Sequence, residues 1–283
     1  MIRRTRYFVP LAGALLLAGC YPGEQHSARF EHKWPAAGIT RLEVREVSGR
    51  ITVDGDSPNE VTMKAAVRAR GVQPNPKQEY QGYFRAELDG DTLSIESRDR
   101  HNDHFVFGFG RDIQVDYELH VPPSMALELR SVNGRIITRG IAGEINATTV
   151  NGVVDLEATG SNEVAAKTVN GRVQARFLDD FHGARLSTVN GRVVAALPPG
   201  ASFYTDFTQV NGDFEAAFPL SIHSNPGSRR VSGEVNGGRY ALRITTVNGD
   251  IKVDNVLPPP APPRAPSAVP SAPAPPAPPA PRT

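Results

Sequence analysis

Three groups of residues in this 283-residue chain are of types that do chemistry. Phe177–Gly183 reads FLDDFHG and sets Asp179, Asp180 and His182 close together. Paired carboxylates beside an imidazole are the material of acid–base cleavage of glycosidic bonds. Adjacent Asp residues also cap or bend a chain through their short side chains, which is the simpler reading. The HNDH stretch offers His101, Asp103 and His104 to a metal but lacks a clear third ligand, so a solvated loop is expected there. Neither a catalytic residue nor a resident metal or cofactor is predicted. The third group is arginine. Arg135, Arg172 and Arg192 each follow an Asn-Gly pair. Guanidinium forks suit carboxylates and phosphates. If the segments carrying them stack, they form a strip for an anionic envelope polymer or lipid headgroup, with Asp213 as the expected counter-charge to Arg192. The plainer reading is a solvated ladder with one surface ion pair, contributing under about 1 kcal/mol. There is no nucleophile elbow, phosphate loop or paired-Cys motif.

The elements that would hold these residues repeat. Val-Asn-Gly begins at Val132, Val150, Val169, Val189, Val210, Val235 and Val247. The first five are spaced by 18, 19, 20 and 21 residues, and Val247 lies 37 beyond Val210, close to two steps. Val235 breaks the period and marks an irregular or inserted unit. A period near 20 residues signals stacked architecture. Two residues after each Gly of the regular copies stand Ile136, Val154, Val173, Val193, Phe214 and Ile251. Three before each Val stand Leu129, Ala147, Ala166, Leu186, Phe207 and Ile244. All are apolar, and polar residues alternate with them, so each unit is a strand, an Asn-Gly bend and a second strand.

Asn tolerates a left-handed backbone and Gly has no steric objection to one, so the pair can reverse or sharply turn a strand. Two arrangements use it: a two-residue hairpin, or the corner of a parallel stack with rungs about 4.8 Å apart. The fold class expected is all-β: a single-stranded β-helix or β-solenoid of 18–21-residue rungs. Its structural turns are Asn133–Gly134, Asn151–Gly152, Asn170–Gly171, Asn190–Gly191, Asn211–Gly212 and Asn248–Gly249. In such a stack the amides of Asn133, Asn151, Asn170, Asn190 and Asn211 are placed to bond to one another as a ladder. Leu42–Val53 reads as one more bend, with Ser-Gly for Asn-Gly, and Tyr83–Ser97 as two strands about an Asp-Gly turn.

The ends bound the rest. Residues 1–6 are basic, an apolar stretch follows, and Leu-Ala-Gly-Cys closes at Cys20, the only cysteine. The apolar run is too short to span a bilayer. It resembles the export signal and lipobox of bacterial lipoproteins, in which the Cys is lipidated and becomes the first mature residue. Tyr21 rather than Asp after it resembles the outer-membrane pattern. Without the first nineteen residues, Lys+Arg falls from 31 to 28 against 30 acids, which is no profile for nucleic acid. Residues 258–283 hold 13 of the 25 prolines. They read as an extended tail that buries no core, spanning on the order of 80 Å when fully stretched. The expected organisation is a signal peptide (1–19), a linker after lipidated Cys20 (20–38), an irregular all-β part (39–126), the repeat (127–257) and the tail (258–283).

The lipobox, LEVREVSGRITV, DGDTLSI, YELHVPPSMALELRSVNGRI and the repeated TVNGRV together resemble the DUF4097 putative adhesin family, over roughly residues 40–255. The resemblance implies a β-helix-like envelope protein with an adhesive role and no established catalytic residues. The implied partners are membrane lipid through Cys20 and an envelope polysaccharide, lipopolysaccharide or protein. The rival class is a carbohydrate-active enzyme, a lyase or hydrolase, on the same scaffold.

Overall fold

Period-two alternation over β-branched and apolar residues yields strands almost everywhere the chain is described. The computed structural model describes residues 25–70, 83–97, 112–160, 163–225 and 228–256. Cys20, the segment 1–19, His101–His104 and the tail 258–283 lie outside the described residues. The protein is all-β, with no helix among the described residues.

The strands in chain order are β1 (Gln25–Pro35), β2 (Arg41–Asp54), β3 (Glu60–Arg70), β4 (Phe84–Asp89), β5 (Thr92–Ser97), β6 (Asp112–His120) and β7 (Ala126–Ile141). The repeat continues with β8 (Ile145–Thr148), β9 (Asn151–Ala158), β10 (Val164–Lys167), β11 (Val173–Phe177), β12 (Ala184–Asn190) and β13 (Val193–Leu197). The last are β14 (Phe203–Asn211), β15 (Phe214–Ala216), β16 (Ser221–Asn225), β17 (Ser228–Val235), β18 (Tyr240–Asn248) and β19 (Ile251–Asn255). β1 falls where a linker is expected. Phe30 and Trp34 pack on the core while Arg29, Glu31 and Lys33 face solvent, so the stretch pairs antiparallel with β3.

The bends stack in parallel and in register; none of the regular Asn-Gly pairs closes a hairpin. β2 lies along the whole of β7, setting Ser48 on Asn133 and Gly49 on Gly134. Successive rungs are then β8–β9, β10–β11 and β12–β13. Next in space comes β18–β19, not β14–β15. The chain therefore places Asn248 against Asn190, and Asn211 on the far side of Asn248. This corrects the expected order of the column.

The cause lies in the segment around Val235. β16 and β17 form a hairpin, and β17 lies antiparallel on the outer edge of β14. Asn236, Gly237 and Gly238, at φ 50°, 85° and 59°, then turn the chain back so that β18 enters on the inner edge of β14. Val235 therefore marks a left-handed turn and not a rung corner. The other end is also closed by antiparallel strands. β5 and β6 extend the first rung in parallel, β4 pairs with β5, and β3 and β1 continue beyond β6. These caps cover strand edges that would otherwise offer unpaired backbone to a neighbouring chain.

Both arms of each rung bury alternate residues. Leu129, Ala147, Ala166, Leu186, Ile244 and Phe207 stack in one column, with Ile136, Val154, Val173, Val193, Ile251 and Phe214 in another. Small residues fill the middle of the first column. The aromatics collect at the end, where Phe203 packs edge-on against Phe218 at 5.1 Å and Phe207 lies 6.0 Å from Phe214.

The corner itself departs from the sequence expectation. Its Asn residues are not left-handed: among the described residues the only side-chain-bearing residue with positive φ is Asn236. Gly does the bending. Gly171 sits at φ 152°, and a Cβ there would lie 1.7 Å from the Gly152 carbonyl oxygen of the preceding rung. The same approach recurs at Gly191 and Gly249, at 1.8 and 1.6 Å. No side chain fits between stacked bends. Gly171→Val should therefore destabilise the protein by about 2 kcal/mol or more, while exposed Arg172→Ala stays within about 0.5 kcal/mol. Thermal unfolding of the two variants checks this, and similar melting temperatures would contradict it.

Candidate functional site

Each bend exposes the same short phrase, so stacking turns its letters into columns. The outermost column is valine: Val47, Val132, Val150, Val189, Val247 and Val210 are 37–44% exposed, and half-buried Val169 completes the run. Beside it runs the Asn column, exposed along its length. Each amide donates from Nδ2 to the Oδ1 of its neighbour: Asn151 to Asn133 (2.8 Å), Asn170 to Asn151 (2.9 Å) and Asn190 to Asn170 (2.8 Å). Asn248 then donates to Asn190 (3.0 Å), and Asn211 to Asn248 (2.9 Å). A primary amide carries both donor and acceptor, so one residue type can pass the bond from rung to rung where Asp or Lys cannot.

The third column holds the residue after each Gly. In spatial order it reads Arg50, Arg135, Val153, Arg172, Arg192, Asp250, Asp213. Arg192 pairs with Asp250 through Nε and Nη2, at 3.3 and 2.8 Å, and not with Asp213 as its place in the sequence suggests. Asp250 Oδ1 also accepts from the Asp213 backbone N–H at 3.1 Å. These contacts hold the Asp250 carboxyl below its usual pKa, the bond from Arg192 being the largest cause. Sequence reasoning missed Arg50. Its signal was SGR in VSGRITV, which aligns with NGR in the later copies.

Behind the Asn column, inside the bend, runs a fourth column that the sequence reading did not single out. It is Glu46, Ser131, Thr149, Thr168, Thr188, Thr246 and Gln209, all buried and polar. Small hydroxyls fit under the tight turn and can reach backbone carbonyls: Thr188 Oγ1 donates to Gly171 O at 3.2 Å. At the far end Gln209 Nε2 donates to Asp213 O and Gly249 O at 3.0 and 2.8 Å. At the near end stands Glu46. Its Oε1 accepts from the Ser48 N–H at 2.9 Å, while Oε2 and Ser131 Oγ make no hydrogen bond of ordinary geometry, and the buried Tyr117 phenol lies beside the carboxyl. Burial pushes the Glu46 carboxyl up to about 7 against the backbone bonds that lower it. Burial first, and the neighbouring Glu46 second, push the Tyr117 phenol upward.

The loop candidates for acid–base chemistry sit in different surroundings. Asp179 and Asp180 are exposed on the turn after β11. His182 instead packs edge-on against Tyr240 at 5.0 Å. Among the described residues no group of three or more His, Cys, Asp or Glu is placed to hold a metal.

Glu46 gives the fold a pH dependence. The folded carboxyl keeps its proton up to about pH 7, while an ordinary Glu releases it near 4.5. Between those values the folded state binds more protons than the unfolded state, so stability falls as pH rises. The contribution is complete below about 4.5 and gone above about 7, a change on the order of 3 kcal/mol. Glu46→Gln keeps an acceptor for the Ser48 N–H and carries no charge. It should melt higher than the parent at pH 8 and show a flatter profile between pH 5 and 7; equal profiles would contradict the assignment.

No family model matches the chain, and no curated protein matches it significantly. Solved structures do. A putative cell adhesion protein from Clostridium sporogenes shares 8% identity and a TM-score of 0.44, over 81% of this chain and all of that one. A putative adhesin from Parabacteroides merdae shares 10% identity and a TM-score of 0.30, over 81% of this chain and 96% of that one. A putative lipid binding protein from Parabacteroides distasonis shares 6% identity and a TM-score of 0.32, over 81% and 97%.

Proposed function

We propose that the protein is a lipid-anchored envelope protein, exported and held through Cys20 in the outer membrane. Its β-solenoid body is a non-catalytic adhesive surface. The observation that carries the reading is the corner: a valine column, an amide column headed by Ser48 and a mainly charged column interrupted by Val153, running side by side along the stack. Seven rungs at about 4.8 Å make a ridge roughly 29 Å long. A repeated surface of this kind suits a repeated or extended partner, such as an envelope polysaccharide, lipopolysaccharide or another protein surface. The cationic half of the third column, with Arg135 and Arg172, suits the anionic ones.

The anchor rests on Leu-Ala-Gly-Cys20. One acyl chain anchors only marginally, whereas several hold firmly. In cells making the protein, Cys20→Ser should move it from the membrane to the soluble fraction. The same change should abolish adhesion of those cells to surfaces coated with lipopolysaccharide, an acidic glycan or the protein itself. Membrane retention of the variant would overturn the anchor, and failure of parent cells to adhere to any of these coatings would overturn the adhesive role.

A further inference from the structure

Away from the corner, the outer face of the arm that precedes each bend carries unmatched cations. β10, β12, β18 and β14 run side by side there. Arg185 of β12 and Arg243 of β18 are register partners, and Lys167 of β10 stands opposite Ser187, the next outward residue after Arg185. All three cations are exposed and make no ion pair or side-chain hydrogen bond among the described residues. Other cations of this face are matched: Arg130 is bonded to Glu128 at 3.0 Å, and Arg45 lies 3.7 Å from Glu43. The acids nearest the three do not match them. Asp206 stands opposite Arg243, but its Oδ1 accepts from Nε and Nη2 of Arg230 at 3.2 and 3.0 Å. Glu163 and Glu234, at the margins, form no ion pair among the described residues.

Arg185 and Arg243 thus set like charges on neighbouring strands about 4.8 Å apart. Such a pair is unfavourable without a counter-charge. Two guanidinium forks that close together can converge on one oxyanion. Ser187 and Thr245, the next outward residues on the same two strands, add hydroxyl donors beside it. Tyr204 completes the patch. It is 37% exposed on β14, one strand over from Arg243 and two residues back. That is a distance of roughly 8 Å along the sheet. Its ring touches no other ring and no cation among the described residues. A bare phosphate or sulfate makes no use of such a ring, whereas a sugar ring lies flat on it with its polar groups turned to the donors alongside.

We propose that this face binds an acidic polysaccharide, with the carboxylate of one sugar unit between Arg185 and Arg243 and a pyranose ring on Tyr204. The proposal rests on the adhesive reading above and deepens it, naming the partner's chemistry and a face other than the corner. Lys167 continues the cationic track one strand beyond Arg185, so a further acidic unit of the same chain meets a charge as well. The face is flat and open. A single unit is therefore held weakly, and a polymer gains strength from many units meeting many anchored copies.

The test measures binding of the purified full chain to immobilised polygalacturonate, which carries one carboxylate per sugar, with neutral dextran alongside. The parent should bind the acidic polymer and not dextran, and less as salt rises. The double variant Arg185→Gln/Arg243→Gln should lose about ten-fold or more in affinity. Tyr204→Ala should lose several-fold. Arg130→Gln removes a cation of the same face that is already bonded to Glu128, and should stay within about two-fold of the parent. The double variant should melt no lower than the parent, because it removes two like charges that make no contact, and this separates lost binding from lost folding. Absence of parent binding, equal binding to dextran, or parent-level affinity in the double variant or in Tyr204→Ala would each overturn the proposal. So would an equal loss in Arg130→Gln, which would mean attraction by overall charge alone. Loss of binding in Arg135→Gln/Arg172→Gln in place of the face variants would move the glycan to the corner, overturning this site while leaving the adhesive reading standing.

Discussion

Everything in this protein hangs on how closely one bend can approach the next. The corner glycines lie where any Cβ would fall inside the neighbouring carbonyl, at 1.6–1.8 Å for Gly249, Gly171, Gly152 and Gly191. That approach lets the Gly N–H of each bend donate to the Asn carbonyl of the next, as Gly171 does to Asn190 and Gly191 to Asn248, both at 2.9 Å. The backbone bonds then carry the arms into register, and register carries every side chain to its column. A one-residue slip would turn Leu129 and Ile136 outward and Arg130 and Arg135 inward. The steric requirement at one residue thus determines the face presented by all the others.

The columns share the work unequally. The apolar columns supply the stability, since burial of Leu, Ile, Val and Phe side chains contributes about 1.5–3 kcal/mol each. The outer amides, exposed to water, contribute less each, but they demand a single register because each must meet its neighbour. The inner hydroxyls fill space that the bend creates, and several do so without a bonded partner. Buried polar groups of that kind cost stability. Glu46 is the extreme case, a carboxyl placed where its column changes from Thr and Ser to the cap. The antiparallel strands at both ends stop the stack from growing, so the parallel rungs form a finite ridge whose two ends are chemically different.

Much of this was visible in the sequence. The bends follow from Asn-Gly and Ser48–Gly49, and the arms from alternation at positions such as Leu129 and Ile136. The stacking follows from the period. What stayed hidden has physical causes. The rungs at Asn211 and Asn248 carry the same pattern, so nothing local says which lies next to Asn190. The order is decided by the β16–β17 hairpin covering the outer edge of β14. The amide ladder was legible from the period, but the left-handed backbone expected of the corner Asn residues was not found, because left-handed tolerance is a property of the isolated residue and here the adjoining Gly makes the bend. The alternation of Phe30, His32 and Trp34 was a strand signal obscured by its nearness to Cys20. Glu46 stands in phase with buried Leu42 and Val44, but alternation alone does not say that a carboxyl at that position stays inside the bend.

The account rests on one continuous corner column in which the rung of Asn248 lies between those of Asn190 and Asn211. Paired cysteines measure this directly in a Cys20→Ser background. Stacked neighbours lie about 4.8 Å apart, within disulfide range, and residues two rungs apart lie near 10 Å, outside it. Under mild oxidation, Val189→Cys with Val247→Cys should form an intramolecular disulfide, and Val189→Cys with Val210→Cys should not. Cross-linking of the 189/210 pair in place of the 189/247 pair would contradict the column order and the charged ridge built on it.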